Sequence, residues 1–323
     1  MNAETKNPKK LPIFISNWQD YVIYYIFIGI FLLFSVLLFN RGFLSATNLL
    51  NIGRQSAMIC ILSVGMTFVL AAEEIDLSFG SIVALAAIIT ALVLRATDNI
   101  FLSFAAGIAS GTLVGFINGL FVSKVGIPSF LVTLGMSGIV IGIARWISNL
   151  QSIAINNDFF VFLFGSGNIG PIPILFIWIL LIGGIGHVTL TKTALGRKIL
   201  ASGGNRVSAL YSGINVRQIK LIVLTINGAL AGLTGILYTG RLHGARYTLG
   251  ENDLLIVIAA VIIGGTSMFG GKGSVIGSIF GALIMAMLSN GLILLGLSVD
   301  QQLIFRGLII IVSVSLAMHQ RKS

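Results

Sequence analysis

Few residues of this chain have the types and spacing that catalysis requires. The one Gly-Lys dipeptide, Gly271-Lys272, invites comparison with the phosphate-cradling pattern G-x-x-x-x-G-K-[ST]. Thr266 stands where that pattern needs its first glycine, and Gly273 replaces the magnesium-holding hydroxyl, so the match fails twice. No H-E-x-x-H or C-x-x-C occurs. His187, His243 and His319 are far apart, and Cys60 lies in an apolar run. An ATPase, if one drives this protein, is a separate polypeptide. The run Gly264, Gly265, Thr266, Ser267, Met268, Phe269, Gly270, Gly271 reads better as a flexible turn or helix break. Glu73, Glu74 and Asp76 form an acidic cluster. Either water solvates it at a membrane surface, or Asp76 and Ser78 close a gate at a broken helix or cap the next one.

The elements that must carry these groups follow from composition. The 323 residues are 56% hydrophobic and 9% charged. A soluble protein carries about 25% charged residues, so this surface cannot face water throughout. An ordinary cytosolic enzyme, a disordered chain, a disulfide scaffold and a nucleic-acid-binding domain are excluded. The fold class is all-α, a polytopic membrane protein with about ten transmembrane helices. The apolar segments run roughly over 21–39, 48–71, 78–95, 101–122, 128–148, 171–190, 218–240, 252–267, 273–296 and 300–318. The eighth is short for a span and is expected to be tilted, broken or re-entrant. Residues 1–20 form a tail behind a first anchor, 21–318 the transmembrane domain, and 319–323 a second tail.

Basic residues orient the bundle. With the N-terminus inside, the inner segments and their flanks hold thirteen of the twenty bases, including Lys9, Lys10, Lys124, Arg197, Lys198, Arg217 and Lys272. The positive-inside rule then places both termini in the cytoplasm. The net charge of +10 is topological information and implies no nucleic-acid partner. Gly107, Gly111, Gly115 and Gly119 recur every four residues, as do Gly273, Gly277 and Gly281, and Gly228 with Gly232. Small residues at this spacing let helix backbones approach closely in lipid. The longest inner segment, 191–217, contains five bases and no acid. Val207 to Tyr211 suits a short helix, with Asn205 as its N-cap and Gly213 as its stop. It is a docking element or a solvated positive loop.

Three blocks occur in a fixed order: IDLSFGS at 75–81, LGRKILASGGNRVSALYSGINVRQIK at 195–220, and VIIGGTSMFGGKGSVIGSIFGALI at 261–284 followed by NGLILLGLS. Over about 45–318 the chain resembles the ribose-type permeases of the branched-chain amino acid and monosaccharide ABC transporter superfamily. The resemblance implies a ten-helix fold like that of vitamin B12 importers, in a bacterial inner membrane. It implies a second permease copy, identical or not, a cytoplasmic ABC ATPase and a periplasmic or lipid-anchored solute-binding protein. No cofactor is implied on this chain; ATP and magnesium belong to the ATPase. The family's coupling motif falls on Ala201, Gly203, Gly204, Asn205, Ala209, Gly213 and Ile214, which would seat in a cleft of that ATPase. Glu73 and Glu74 depart from the small residues typical of relatives.

A neutral polyol needs hydrogen-bonding side chains along its route, and Gln55, Asn118 and Asn290 are the candidates, each equally suited to tying helices together. Segment 149–170 and the bases and acids at Arg241, Arg246, Glu251 and Asp253 fall on the outer face, as a partner surface or as solvated loops. Arg306 lies within the last span and would snorkel, pair with Asp300 or face an interface. The expected function is ATP-driven import of a monosaccharide such as ribose by alternating access. The alternatives are import of another small polar solute (autoinducer-2, a polyol or a nucleoside) and ion-coupled secondary transport, which would need a coupling site at the midplane.

Overall fold

A computed structural model describes residues 18–322; residues 1–17 and Ser323, and the side chains of 18–21, Arg306, Ile310 and most positions beyond 311, lie outside the description. The basic head at Lys6, Lys9 and Lys10 and the partner of Arg306 therefore fall outside the described residues.

The chain is a helical bundle in this order: α1 Trp18–Leu37, α2 Ala46–Ala71, α3 Phe79–Thr97, α4 Ile100–Leu120, α5 Ser129–Ser148, α6 Asp158–Val161, α7 Ile174–Lys192, α8 Ala194–Gly204, α9 Arg206–Tyr211, α10 Val216–Leu242, α11 Asp253–Ile263, α12 Val275–Leu294 and α13 Val299–Lys322. Four two-residue strands form two antiparallel pairs: β1 Ile153–Ala154 with β4 Gly244–Ala245, and β2 Asn168–Ile169 with β3 Ile172–Pro173. Polar caps set several helix starts. Ser45 Oγ accepts from the Asn48 amide, Asn99 Oδ1 from Leu102, and Asn215 Oδ1 from Gln218. Such caps satisfy first-turn amides that have no partner within the helix. Pro128 and Pro173 stand just before α5 and α7, where the helix needs no proline N–H.

Among the described residues seven helices are long and apolar enough to cross a membrane: α2, α3, α4 with its π turn to Val125, α5, α7, α10 and α12. The apolar run Val22–Leu37 of α1 and the 11-residue α11 are shorter. Of the ten expected spans, seven are of full length among the described residues; α1 and α13 include positions outside the description, and a helix occupies each of the ten apolar segments. α11 stops at Ile263, before the end of its apolar segment, because the chain must turn at Gly264-Gly265, with Gly265 at φ +88°.

α2 is the enclosed centre, buried at every residue from Ser56 to Ala71. α10 lies against α4 through the glycines. A methyl built on Gly115 would lie 2.9 Å from Gly228 Cα, and one on Gly111 would lie 2.8 Å from Gly232 Cα. The two backbones touch where any side chain would hold them apart, which maximises dispersion contact between helices. α5 is covered on one side only, and methyls built at Gly135, Gly138 and Gly142 would meet nothing within 4 Å.

Overpacking a close contact costs about 1–3 kcal/mol. Gly228→Leu should therefore lower the melting temperature of the purified protein clearly, whereas Gly138→Leu should leave it nearly unchanged. Scanning fluorimetry in detergent reads both, and equal melting temperatures would remove the stabilising role of the α4–α10 contact.

Candidate functional site

The connection between α2 and α3 carries the densest polar chemistry. α2 ends in a left-handed turn at Glu73, φ +63°, where the amides of Glu73 and Glu74 donate to the Leu70 and Val69 carbonyls. From there to Ser78 the chain is non-helical and mostly buried. Non-helical backbone at membrane depth is tolerated only where protein satisfies its polar groups. α5 does so on one side. Ser129 Oγ accepts from the Ile75 amide and Thr133 Oγ1 from the Leu77 amide, both at 3.0 Å. These hydroxyls are one helical turn apart, matching the two-residue step of an extended chain.

The even-numbered residues turn the other way. Glu74 is buried and paired with Lys220 of α10. Asp76 is fully buried; its Oδ2 accepts from Asn227 Nδ2 of α10 at 2.8 Å. Its Oδ1 accepts from the Ser78 amide at 2.8 Å and from Ser78 Oγ at 2.6 Å. Ser78 Oγ in turn accepts from Asn118 Nδ2 of α4 at 2.8 Å. Residues 73–78 are therefore a strap, tied to α5 by backbone amides and to α10 and α4 by side chains. Asn118 Oδ1 and Asn227 Oδ1 are buried without a hydrogen-bond partner among the described residues. Ser78 stands at the N-cap position of α3, yet its hydroxyl bonds none of the first-turn amides. The water-solvated reading of the acids holds for exposed Glu73 and fails for Glu74, which Lys220 holds inside the protein.

The second cluster lies at the same end of the bundle. Asn205 caps α9, its Oδ1 accepting from the Ser208 amide at 3.0 Å. Gly213 takes φ +75°, and the Ile214 amide closes back on the Ala209 carbonyl at 3.0 Å. The basic connection thus contains two helices where its composition suggested one. Gly203 is buried in this chain, with a backbone so close to Ala71 and Gly271 that no side chain fits. The Gly271 amide donates to the Ala71 carbonyl at 3.0 Å, and Gly270 and Gly271 oppose Gly203 and Gly204. Gly264 packs against Gly277 of α12. Gly264, Gly265, Gly270 and Gly271 are therefore a compact turn that α8 sits upon. Ala209 is also buried, whereas Ala201, Gly204, Asn205 and Gly213 are exposed. The prominent exposed groups on α9 are Val207, Leu210 and Tyr211, the last 90% accessible. Sequence reasoning passed over these three because it weighted small residues; three exposed apolar side chains on a six-residue helix were the available signal.

The polar candidates separate. Asn118 belongs to the Asp76 network. Asn290 exchanges two amide hydrogen bonds with Asn48, at 3.1 and 2.9 Å, and ties α12 to α2. Gln55 borders a cavity of about 140 Å³.

A bundle of apolar helices with a polar strap inside and an exposed basic helix pair at one end has the layout of a polytopic membrane permease. The family described as the permease component of the branched-chain amino acid transport system matches residues 48–314. The chain is 39% identical to the ribose import permease protein of Haemophilus influenzae over 89% of its length and 90% of the relative's. It is 36% identical to the D-allose transport system permease protein of Escherichia coli, covering 97% and 95% of the two chains. The L-arabinose transport system permease protein of the same species is 31% identical over 98% and 95%. No solved structure matches significantly. The chain belongs to this permease family.

Removing one partner of a buried ion pair costs about 3–5 kcal/mol, because the other charge is left uncompensated. Lys220→Met should therefore destabilise the protein strongly, and adding Glu74→Gln should restore most of the loss. Thermal melts of the two variants decide it; a double variant no more stable than the single one would remove the pair's energetic role.

Proposed function

We propose that this chain is the membrane-spanning subunit of an ATP-driven sugar importer, with a monosaccharide of the ribose or allose kind as solute. The observation that carries the reading is family membership over nearly the whole chain, with relatives named for import of ribose, D-allose and L-arabinose. In this reading the bundle has ten spans in the manner of vitamin B12 importers, with both termini in the cytoplasm. Two permease subunits form the translocation pathway. A separate ABC ATPase, holding ATP and magnesium, docks at α8–α9, and a solute-binding protein delivers sugar to the opposite face.

The geometry supports a specific route for the drive. α9 presents Val207, Leu210 and Tyr211 to the outside of the molecule, an apolar footing for a protein partner. Gly204, Asn205 and Gly213 are exposed beside them and belong to the same footing. Movement of α9 passes through the short link at Ser212–Asn215 into α10. α10 grips the strap at Lys220 and Asn227, and the strap holds α5 at Ser129 and Thr133. Asp76 and Ser78 thereby act as the inner gate, where displacement of α10 is converted into displacement of α5.

Uptake into proteoliposomes tests the class. Radiolabelled ribose or allose should enter only with ATP, the cognate ATPase and the binding protein together. Uptake by this chain alone under a sodium or proton gradient would overturn the reading in favour of a secondary transporter.

The docking assignment has its own test. Gly213→Val forces a β-branched side chain into the left-handed region, and Tyr211→Ala removes the most exposed ring. Both should weaken co-purification with the ATPase while membrane insertion stays intact. Retained co-purification in both would sink the assignment.

A further inference from the structure

The end of the bundle opposite α8–α9 contains a cavity that the drive mechanism does not use. It lies between four helices, bordered by Gln55 of α2, Tyr238 of α10, Asn252 and Asp253 at the start of α11, and Ser289 of α12. Its volume of about 140 Å³ equals that of four or five waters at about 30 Å³ each, room for one small solute and no more. We propose that this cavity is a subsite for a neutral monosaccharide, held within a single permease subunit on the solute's route through the membrane.

Its chemistry selects that class. Tyr238 donates its hydroxyl hydrogen to Asp253 Oδ2 at 2.7 Å, which holds the ring in place and leaves the phenolic oxygen able to accept. Ser289 is 4% accessible and borders the cavity. Neither its hydroxyl nor the Gln55 amide makes a hydrogen bond to protein among the described residues. Both groups can donate and accept, as a sugar hydroxyl does. A buried polar group in this position calls for a polar partner. Ile59, Ile256 and Met285 supply an apolar wall beside these groups. Alternating polar and apolar surface suits a ring that carries hydroxyls on some faces and C–H on others. The lining holds no Lys, Arg or His to pair with a phosphate, so it does not suit an anionic solute such as a sugar phosphate.

Position adds a second argument. Tyr238 lies 22 residues along α10 from its first residue, Val216, so the cavity is about 33 Å from the α9 end. A sugar released there would stand at the far side of the strap from the motor. The choice of ligand rests on the importer reading above; the site itself rests on the lining.

The test uses the intact permease–ATPase complex in nanodiscs without binding protein, so that transport and binding are read separately. Binding of labelled D-ribose and D-allose is measured directly, with ribose 5-phosphate as the anionic probe. Wild type should bind at least one monosaccharide saturably and weakly, and the phosphate far less. Losing one hydrogen bond in a buried site costs about 1–3 kcal/mol, so Gln55→Leu should weaken binding about tenfold or more. Ser289→Ala removes a single oxygen from the same lining and should weaken it in the same direction. Melting temperature and monodisperse elution confirm that each variant is folded. No saturable binding by wild type, equal affinity for the phosphate, or wild-type affinity in both variants overturns the subsite. Those outcomes leave ATP-dependent uptake untouched, whereas loss of ATP-dependent uptake by wild type sinks the importer reading itself.

Discussion

A polypeptide in hydrocarbon cannot leave an amide or carbonyl without a partner, and the strap at residues 73–78 is where this protein meets that constraint most severely. The segment interrupts two spanning helices and is mostly buried. Its odd-numbered amides go to Ser129 and Thr133 of α5, while its even-numbered side chains go to α10 and α4. Extended chain alternates its two sides, so one short segment ties α5 on one side to α10 and α4 on the other. The buried carboxylate of Asp76 is the costliest group in this arrangement. It persists because Ser78 and Asn227 donate to it in a place water does not reach.

Close backbone contact is the complementary device. Where α4 meets α10, glycine faces glycine and the helices hold each other through dispersion alone. The same chemistry recurs at a different scale where Gly203 and Gly204 meet Gly270 and Gly271. There the contact joins the α8–α9 pair to the turn between α11 and α12 and to the end of α2. Gly203, which looks in the sequence like part of a soft docking surface, is thus an internal joint, while Gly204 and Gly213 stay exposed beside the apolar and aromatic side chains of α9.

The ten apolar stretches were legible because span length follows from bilayer thickness, and a helix occupies each of them. The shortness of α11 was legible too, since Gly264-Gly265 ends it. The glycine repeat located a close helix contact, though not its partner. The strap's partners could not be read. Asp76 and Asn227 are 151 residues apart, and Asn48 and Asn290 are 242 apart. No local periodicity announces a pairing at that distance. Helix α8 was hidden for a different reason. Arg197, Lys198 and the pair Gly203-Gly204 give it the composition of a loop, and what makes it a helix is the Thr193 cap together with burial of Ile199. Gln55, Asn118 and Asn290 looked equivalent as polar residues in spans; only their surroundings separate a cavity wall, a contact of the strap and a tie between two helices.

α10 connects these sites by a simple periodicity. Lys220, Asn227 and Tyr238 are spaced by seven and eleven residues, so at 3.6 residues per turn they lie within about 20° of one stripe. That stripe meets Glu74 near the α8–α9 end, Asp76 at mid-height and Asp253 at the far end. Three acids, all outside α10, are thus held by one line of side chains over about 27 Å. Gly228 and Gly232 lie off that line and belong to the face against α4. A continuous helix with no proline moves nearly as a rigid rod. A small rotation or translation imposed on α10 at its base therefore reaches the Lys220, Asn227 and Tyr238 contacts in the same step, while the glycine face supplies a surface with no side chains to resist sliding. The strap and the far cavity thus both rest against one helix.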